Sequence, residues 1–443
     1  METIVEKIKD IVQNQFWENI DIKHIVNHKI KIEKTNILYI EEKRLEIKNN
    51  LYIISIGKVA YRFMKSLLQK LKENNIEPVS SIIITDSKYT YQDTEEQLET
   101  KDEVLISTHP HLSIQSIDNT EKIINFLRQK DSENSCFLFL ISGGGSSLFE
   151  YPIIKPDLAI EIYKYILLQN LDIYQLNTIR KFFSNVKAGK ILQYVKKSQI
   201  VSIILSDVPF NDLSTIASGI TFIQKPTIRN IEFISETLKP IIDHYNIHQT
   251  ERKNIQIYQE IENSNENLDK INHFIIADNT FALKKMEEVF IKNKIETIKV
   301  CSHLKLPLKE IVNIIKGIIT TNIDREKTLF LMGGETNLKI EKEGFGGRLQ
   351  HLGLEILKML KETPDISKEV IFFALATDGI DGNTNKSGCI ISNKINVETS
   401  KIQKYIINFN SGLFFENPKN EKYSITIPPG LNNLNEIYGI YIS

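Results

Sequence analysis

Several short segments of this sequence place charged or glycine-rich residues directly after an apolar run, where open α/β sheets present their ligand-binding loops. Ser142-Gly143-Gly144-Gly145-Ser146-Ser147 ends the run CFLFLIS and precedes a helical pattern. Three glycines let successive amides turn inward with no Cβ in the way, a nest suited to phosphate; they equally suit a turn that needs positive φ. No lysine follows the last glycine, so this is not a Walker A loop, nor is it GxGxxG. Lys58 follows Gly57 at the end of LYIISIG. It can serve as a point charge for phosphate or as a solvated helix-start residue. Asp207 stands after IVSIILS, as a helix cap or as a base or metal ligand.

The second half repeats the pattern. Gly333-Gly334-Glu335-Thr336 follows TLFLM, and Arg348 closes Gly344-Phe345-Gly346-Gly347. Glycines around one arginine let its guanidinium fork approach an oxyanion, although a hairpin with glycine turns has the same look. Asp378 and Asp381 lie on TDGIDG after VIFFALA. An EF-hand is excluded because Lys386 and Ser392 replace the required glycine and bidentate glutamate, whereas two carboxylates on such a loop suit Mg²⁺ beside a phosphate. Lysine, arginine, carboxylates and a phosphate nest together read as phosphoryl transfer, which needs positioning and charge neutralisation above all. The pair His109 and His111 reads as a rigid turn, Ser146 and Ser147 lack a GxSxG elbow, and Trp17 reads as core.

The elements that must position these groups alternate. An amphipathic helix from Glu6 to about His28 and a hairpin-like stretch, NILYIEEKRLEI, open the chain. Then LYIISIG, SIIIT, CFLFLIS and IVSIILSD read as strands separated by helical patterns, the signature of parallel strands with crossover helices on both faces. Polarity rises between His244 and Lys270, and beyond it HFIIAD, TIKVCS, TLFLMGG, VIFFALATDG, SITI and IYGIYI supply the strands of a second α/β domain. The expected division is therefore 1–245 and 246–443.

Composition narrows the function classes. The chain has 443 residues, 41% hydrophobic and 25% charged, which excludes disorder and coiled coil. Fifty-five basic against 56 acidic side chains give a net charge of −1, so no global field holds nucleic acid or an anionic membrane. Three scattered cysteines fit a reducing compartment, and no apolar run is long enough to span a bilayer, so the expected location is cytoplasmic. The oligomeric state is left open, a homodimer included.

Taken in order, ISIGKVA, HPH, ISGGGSSLFEYP, NTIRKFFSNVKAGKI, SDVPFNDLSTIASGIT, GGETN, GFGGRLQ and TDGIDGNT resemble the glycerate 2-kinases that carry a C-terminal MOFRL domain. NHFIIADNTFAL and NLNEIYGIYI resemble further family segments, so the likeness runs along nearly the whole chain. It implies ATP-dependent phosphorylation of D-glycerate at its 2-hydroxyl with a divalent cation, Mg²⁺. It also implies a Rossmann-like N-terminal domain and a MOFRL domain with the active site in the cleft between them. Lys58, Asp207 and Arg348 match the family's GxGKA, SDV and GGRNQE motifs. Lys58 and Arg348 would neutralise the transferring phosphoryl group or hold the substrate carboxylate, and Asp207 would orient or deprotonate the 2-hydroxyl. Residues 142–147 would cradle phosphate, and Glu335, Asp378 and Asp381 would serve Mg²⁺. The sequence departs from the family at Leu349 and His351 (asparagine and glutamate positions), Phe210 and Asn211 (glycine and aspartate), Leu112 and Ser113 (proline and aspartate), and Ile220 (proline). Two other readings compete: a noncatalytic or altered-specificity small-molecule binder, and an NAD-dependent hydroxypyruvate reductase, against which the missing GxGxxG argues.

Overall fold

A computed structural model describes residues 3–34, 36–89, 102–169, 171–241, 247–264, 271–363, 366–430 and 432–443. The chain parts into two compact units, one of Val26–Ile276 and one of Met1–Ile25 together with Ala277–Ser443. The expected boundary at 245/246 lies outside the described residues, and the units part some thirty residues later. The helix Ile247–Ser264 buries Tyr258 and Ile261 in the core of the first unit, and a sixth strand joins that unit's sheet. The polar stretch therefore belongs to the first unit.

In the Val26–Ile276 unit, three short antiparallel strands, β1 (Ile30–Lys34), β2 (Ile37–Ile40) and β3 (Lys43–Glu46), precede the main sheet. That sheet holds β4 (Asn50–Ile56), β5 (Ser80–Asp86), β6 (Asp102–Ser107), β7 (Ser135–Ile141), β8 (Gln199–Leu205) and β9 (Asn272–Ala277) in the order β6-β5-β4-β7-β8-β9. The pairs from β6 through β8 are all parallel. Ranked along the chain, the order is 3-2-1-4-5-6, the doubly wound arrangement of dinucleotide-binding folds. Its strands are nearly continuous apolar runs because helices cover both faces; every residue of β7 is buried. The strand order reverses between β4 and β7, the point at whose carboxyl edge sheets of this order present ligand-binding loops.

In the other unit, β10 (Glu296–Pro307), β11 (Thr328–Asn337), β12 (Val370–Ala376), β13 (Gly388–Ser392), β14 (Ser424–Ile425) and β15 (Glu436–Ile442) form a mixed sheet of order β10-β11-β15-β12-β13-β14. Only β10 and β11 are parallel; β15 runs antiparallel to both its neighbours, β11 and β12. The helix Arg348–Glu362 packs its apolar stripe, including Leu349, Leu352 and Ile356, into the core of this unit. The opening segment breaks into helices at Ile4–Asp10 and Ile22–Lys29 with a π turn and a 3₁₀ turn between them, and so is not one continuous helix. Phe16 is the aromatic residue that is fully buried; Trp17, expected in the core, is only half-buried.

Candidate functional site

Four loops at the carboxyl edge of the doubly wound sheet gather the first set of residues. Gly57 leaves β4 at φ +129°, and a Cβ there would lie 2.7 Å from the Ser142 carbonyl oxygen and 2.9 Å from that of Gly143. Only glycine lets these two loops close on each other. The Lys58 amide then donates to the Gly143 carbonyl at 2.9 Å, joining the loop after β4 to the loop after β7 at the switch point. Among the described residues, no hydrogen bond or ion pair engages the half-buried Lys58 ammonium. The amides of Gly143, Gly144, Gly145 and Ser146 likewise find no protein acceptor among the described residues. Four consecutive free donors beside a cation are the groups that an anion nest requires.

Asp207 enters this loop cluster from β8. A Cβ on Gly143 would collide with its carboxylate, so the third strand edge contributes an acid against the glycine backbone. Asp207 does not cap the following 3₁₀ turn Pro209–Asn211, which has Val208 at its N-cap and no side-chain cap bond. His109 arrives from the loop after β6. Its Cδ2 would lie 3.1 Å, and the Lys58 Cγ 3.0 Å, from a Cβ on Gly144, so both side chains press on the same glycine. Burial, reinforced by the charges of Lys58, Lys88 and Arg180, pushes the His109 pKa down to about 4, and its ring is neutral at physiological pH. The turn expected at HPH is there, its amide held by Asp86 at 3.0 Å, but it also delivers an imidazole to the loop cluster.

The second set lies in the other unit, at the ends of β11 and β15. Arg348 opens the helix Arg348–Glu362; its Nη1 donates to Glu335 Oε1 at 2.9 Å and its Nε pairs with Glu436 Oε1. Glu436 is itself buried, accepting from the Thr336 amide at 2.9 Å and from the Tyr438 hydroxyl. Burial opposes the Arg348 charge, but the two carboxylates outweigh it and hold the guanidinium firmly protonated. Burial pushes Glu436 up to about 7 against the pull of Arg348.

Each of the three acids expected to serve Mg²⁺ has a partner within the protein. Glu335 is paired with Arg348, and Asp381 is buried as a helix cap, accepting from the Leu349 amide at 3.1 Å and the Gln350 amide at 2.8 Å. A Cβ on Gly347 would collide with the Asp381 carboxylate, which accounts for the glycine before Arg348. Asp378 Oδ1 accepts from the Ile380 amide at 3.2 Å. Among the described residues no three His, Cys, Asp or Glu side chains cluster as a metal site.

Several departures from the family pattern find local explanations. Leu349 lies wholly in the apolar core, and His351 stacks on Phe409 at 5.3 Å. Ser113 caps the helix Ile114–Lys130, a task serine and aspartate share, and Leu112 is buried. Phe210 keeps a left-handed φ of +60° where the family pattern has glycine. Glu436, His109 and Arg180 lie in segments that carry the family resemblance but draw no functional role from the sequence: each is a single ionisable residue in a stretch that reads as strand, turn or helix, and only the partners brought by the fold mark it out.

Residues 9–258 match the family described as a domain of unknown function, DUF4147, and residues 328–436 match the MOFRL family. An uncharacterized protein of Caenorhabditis elegans is 32% identical over 85% of this chain and 85% of its own. A glycerate 2-kinase of Sulfurisphaera tokodaii is 30% identical over 81% of this chain and 82% of its own. The crystal structure of a glycerate kinase from Thermotoga maritima superimposes with a TM-score of 0.76 at 22% identity, covering 100% of both chains, and so shares the fold. No helix among the described residues is long and apolar enough to cross a membrane.

Proposed function

Because the chain belongs to the glycerate 2-kinase family that couples a DUF4147 region to a MOFRL domain, we propose that it transfers a phosphoryl group from ATP to the 2-hydroxyl of D-glycerate, giving 2-phosphoglycerate. One observation carries this reading: at the switch point of a doubly wound sheet, four loop amides without protein acceptors among the described residues adjoin Lys58, with Asp207 against the loop. The amides of residues 143–146 hold the phosphates of the nucleotide. Lys58 neutralises charge on the phosphoryl group in transit, where fixed donors in a water-poor site count most. Asp207 orients the substrate hydroxyl and receives its proton, needing only to lie within hydrogen-bond reach of it. In the other unit, Arg348 keeps N–H donors beyond those that Glu335 and Glu436 hold, and these suit an oxyanion.

ATP consumption by the full chain, matched mole for mole by 2-phosphoglycerate identified by mass and NMR, is the expected result. Protein that turns over no hydroxy acid with ATP and Mg²⁺ refutes the reading. Lys58→Ala should lower kcat/KM by about a hundredfold or more, as the loss of a transition-state donor does elsewhere. Unchanged kinetics would remove Lys58 from the site. A reductase reading gains nothing from the strand order, because Gly57-Lys58-Val59 places a valine where close pyrophosphate approach needs the second glycine.

A further inference from the structure

Arg180 is a buried charge with no role in the phosphoryl transfer described for Lys58 and Asp207. It sits on the helix Ile173–Phe183 with 7% of its surface exposed. A guanidinium carries five N–H donors and does not deprotonate. Among the described residues, nevertheless, no hydrogen bond or ion pair engages Arg180, and its Nε is shut from solvent with no acceptor. Its one close neighbour of note is the Tyr163 ring, 5.6 Å from Cζ. The nearby acid balances it only in part: Glu150 attracts the Arg180 charge but also pairs with Lys187 at 2.9 Å, so one buried carboxylate faces two buried cations. An unpaired buried charge costs several kcal/mol, so a fold that retains one has a partner for it outside the protein.

The position of that charge is fixed by its helix. Asn177, three residues earlier and therefore on the same face, accepts from the Ser218 hydroxyl at 3.0 Å, and Ser218 in turn meets Ser146 of the glycine loop at 2.8 Å. Arg180 thus stands behind the loop cluster that holds Lys58 and His109. His109 adds a second unsatisfied group there, for its buried Nδ1 has no partner. Its pKa is lowered first by burial, and the charges of Lys58, Lys88 and Arg180 act in the same direction.

We propose that Arg180, together with His109 of the same loop cluster, binds the carboxylate of the hydroxy-acid substrate. This rests on the kinase reading above and extends it to substrate recognition. The division of labour follows from the chemistry. Sequential amides and a lysine point charge suit a phosphate, whereas a planar fork takes a carboxylate through two parallel N–H···O bonds. A neutral imidazole supplies one more donor or acceptor without adding charge. The reaction brings two anions together, and the glycine loop with Lys58 accounts for only one of them.

The test uses the full chain as wild type, Arg180→Lys, Arg180→Met and His109→Gln, each checked for folding by far-UV circular dichroism. Binding of D-glycerate without nucleotide is measured by calorimetry, and KM for D-glycerate and for ATP by steady-state kinetics. The expected result for Arg180→Met is a weakening of glycerate binding and a rise in its KM of about thirtyfold or more, with KM for ATP within about threefold of wild type. Millimolar guanidinium ion should recover part of the loss. Should Arg180→Met fail to fold, Arg180→Lys and His109→Gln carry the test, and both are expected to raise KM for glycerate selectively. A rise in KM for ATP in place of glycerate would assign the seat to the nucleotide's phosphates and overturn the proposal. Equal constants in all folded variants would overturn it too, while wild-type turnover left the kinase reading intact. Wild-type protein that neither phosphorylates nor binds a hydroxy acid would sink both together.

Discussion

Phe210 occupies a left-handed turn with φ +60° while 79% of its surface faces solvent. A side chain with a Cβ pays about 1–2 kcal/mol to stay in that region, and an exposed ring recovers little of it by packing. Phe210→Gly is therefore expected to raise stability by about 1 kcal/mol, read as an upward shift of the urea midpoint at constant m. No shift would mean that the ring makes contacts worth as much as the strain. The neutral His109 gives a pH effect of definite sign. Its folded pKa of about 4 lies below the ordinary histidine value of 6.5, so the unfolded chain binds the proton more readily between them. Stability should thus fall as pH drops from about 6.5 to about 4, and His109→Gln should lose that part of the slope. Identical slopes in the two proteins, by urea denaturation across the range, would contradict the assignment. The residues legible in the sequence were those announced by neighbouring glycines: Lys58, the 142–147 loop, Arg348. Arg180 and Glu436 were illegible because what singles them out is a burial and a partner supplied from distant segments.

At the scale of elements, one interaction explains why the TDGIDG loop and the GFGGR loop recur as a pair. Asp381 satisfies two of the amides that the helix Arg348–Glu362 would otherwise leave open, and Gly347 makes room for its carboxylate. Asp381→Ala should cost about 2 kcal/mol, combining a lost cap with buried amides left unpaired, and should lower the melting temperature. An unchanged melting temperature, together with lost metal dependence of turnover, would return Asp381 to the metal. Acids on a glycine loop read equally well as ligands or caps, and only the amides 32 and 31 residues before Asp381 decide between them. The parallel sheet was legible for a different reason: uninterrupted apolar runs alternating with helical periods admit few other folds. The mixed sheet was not, because nothing local to IYGIYI says that it inserts between β11 and β12.

At the scale of the molecule, the opening residues belong to the unit built mostly from the end of the chain. Ile8, Ile11, Val12, Phe16 and Ile20 are completely buried, Lys7 donates to the Asn293 carbonyl at 3.3 Å, and Asn432 donates to that of Ile20 at 2.6 Å. Burial of each such side chain contributes about 1.5–3 kcal/mol. A fragment of residues 277–443 is therefore expected to be poorly soluble or to melt well below the same fragment fused to residues 1–25. Equal melting temperatures would show that the opening segment is dispensable to that unit. No composition shift marks this arrangement, so the sequence alone groups the opening segment with the strands nearest to it in the chain.

The strand at the middle of the mixed sheet, β15, is also the last of its six to leave the ribosome. Until it emerges, β11 and β12 have an empty slot between them, Arg348 lacks Glu436, and the opening helices wait for the body they cover. The doubly wound unit has all its strands in one continuous stretch and can close far earlier in synthesis. Translation halted just short of Glu436 would then release a protein with one finished half and one half held open, its unpaired strand edges available to the next chain.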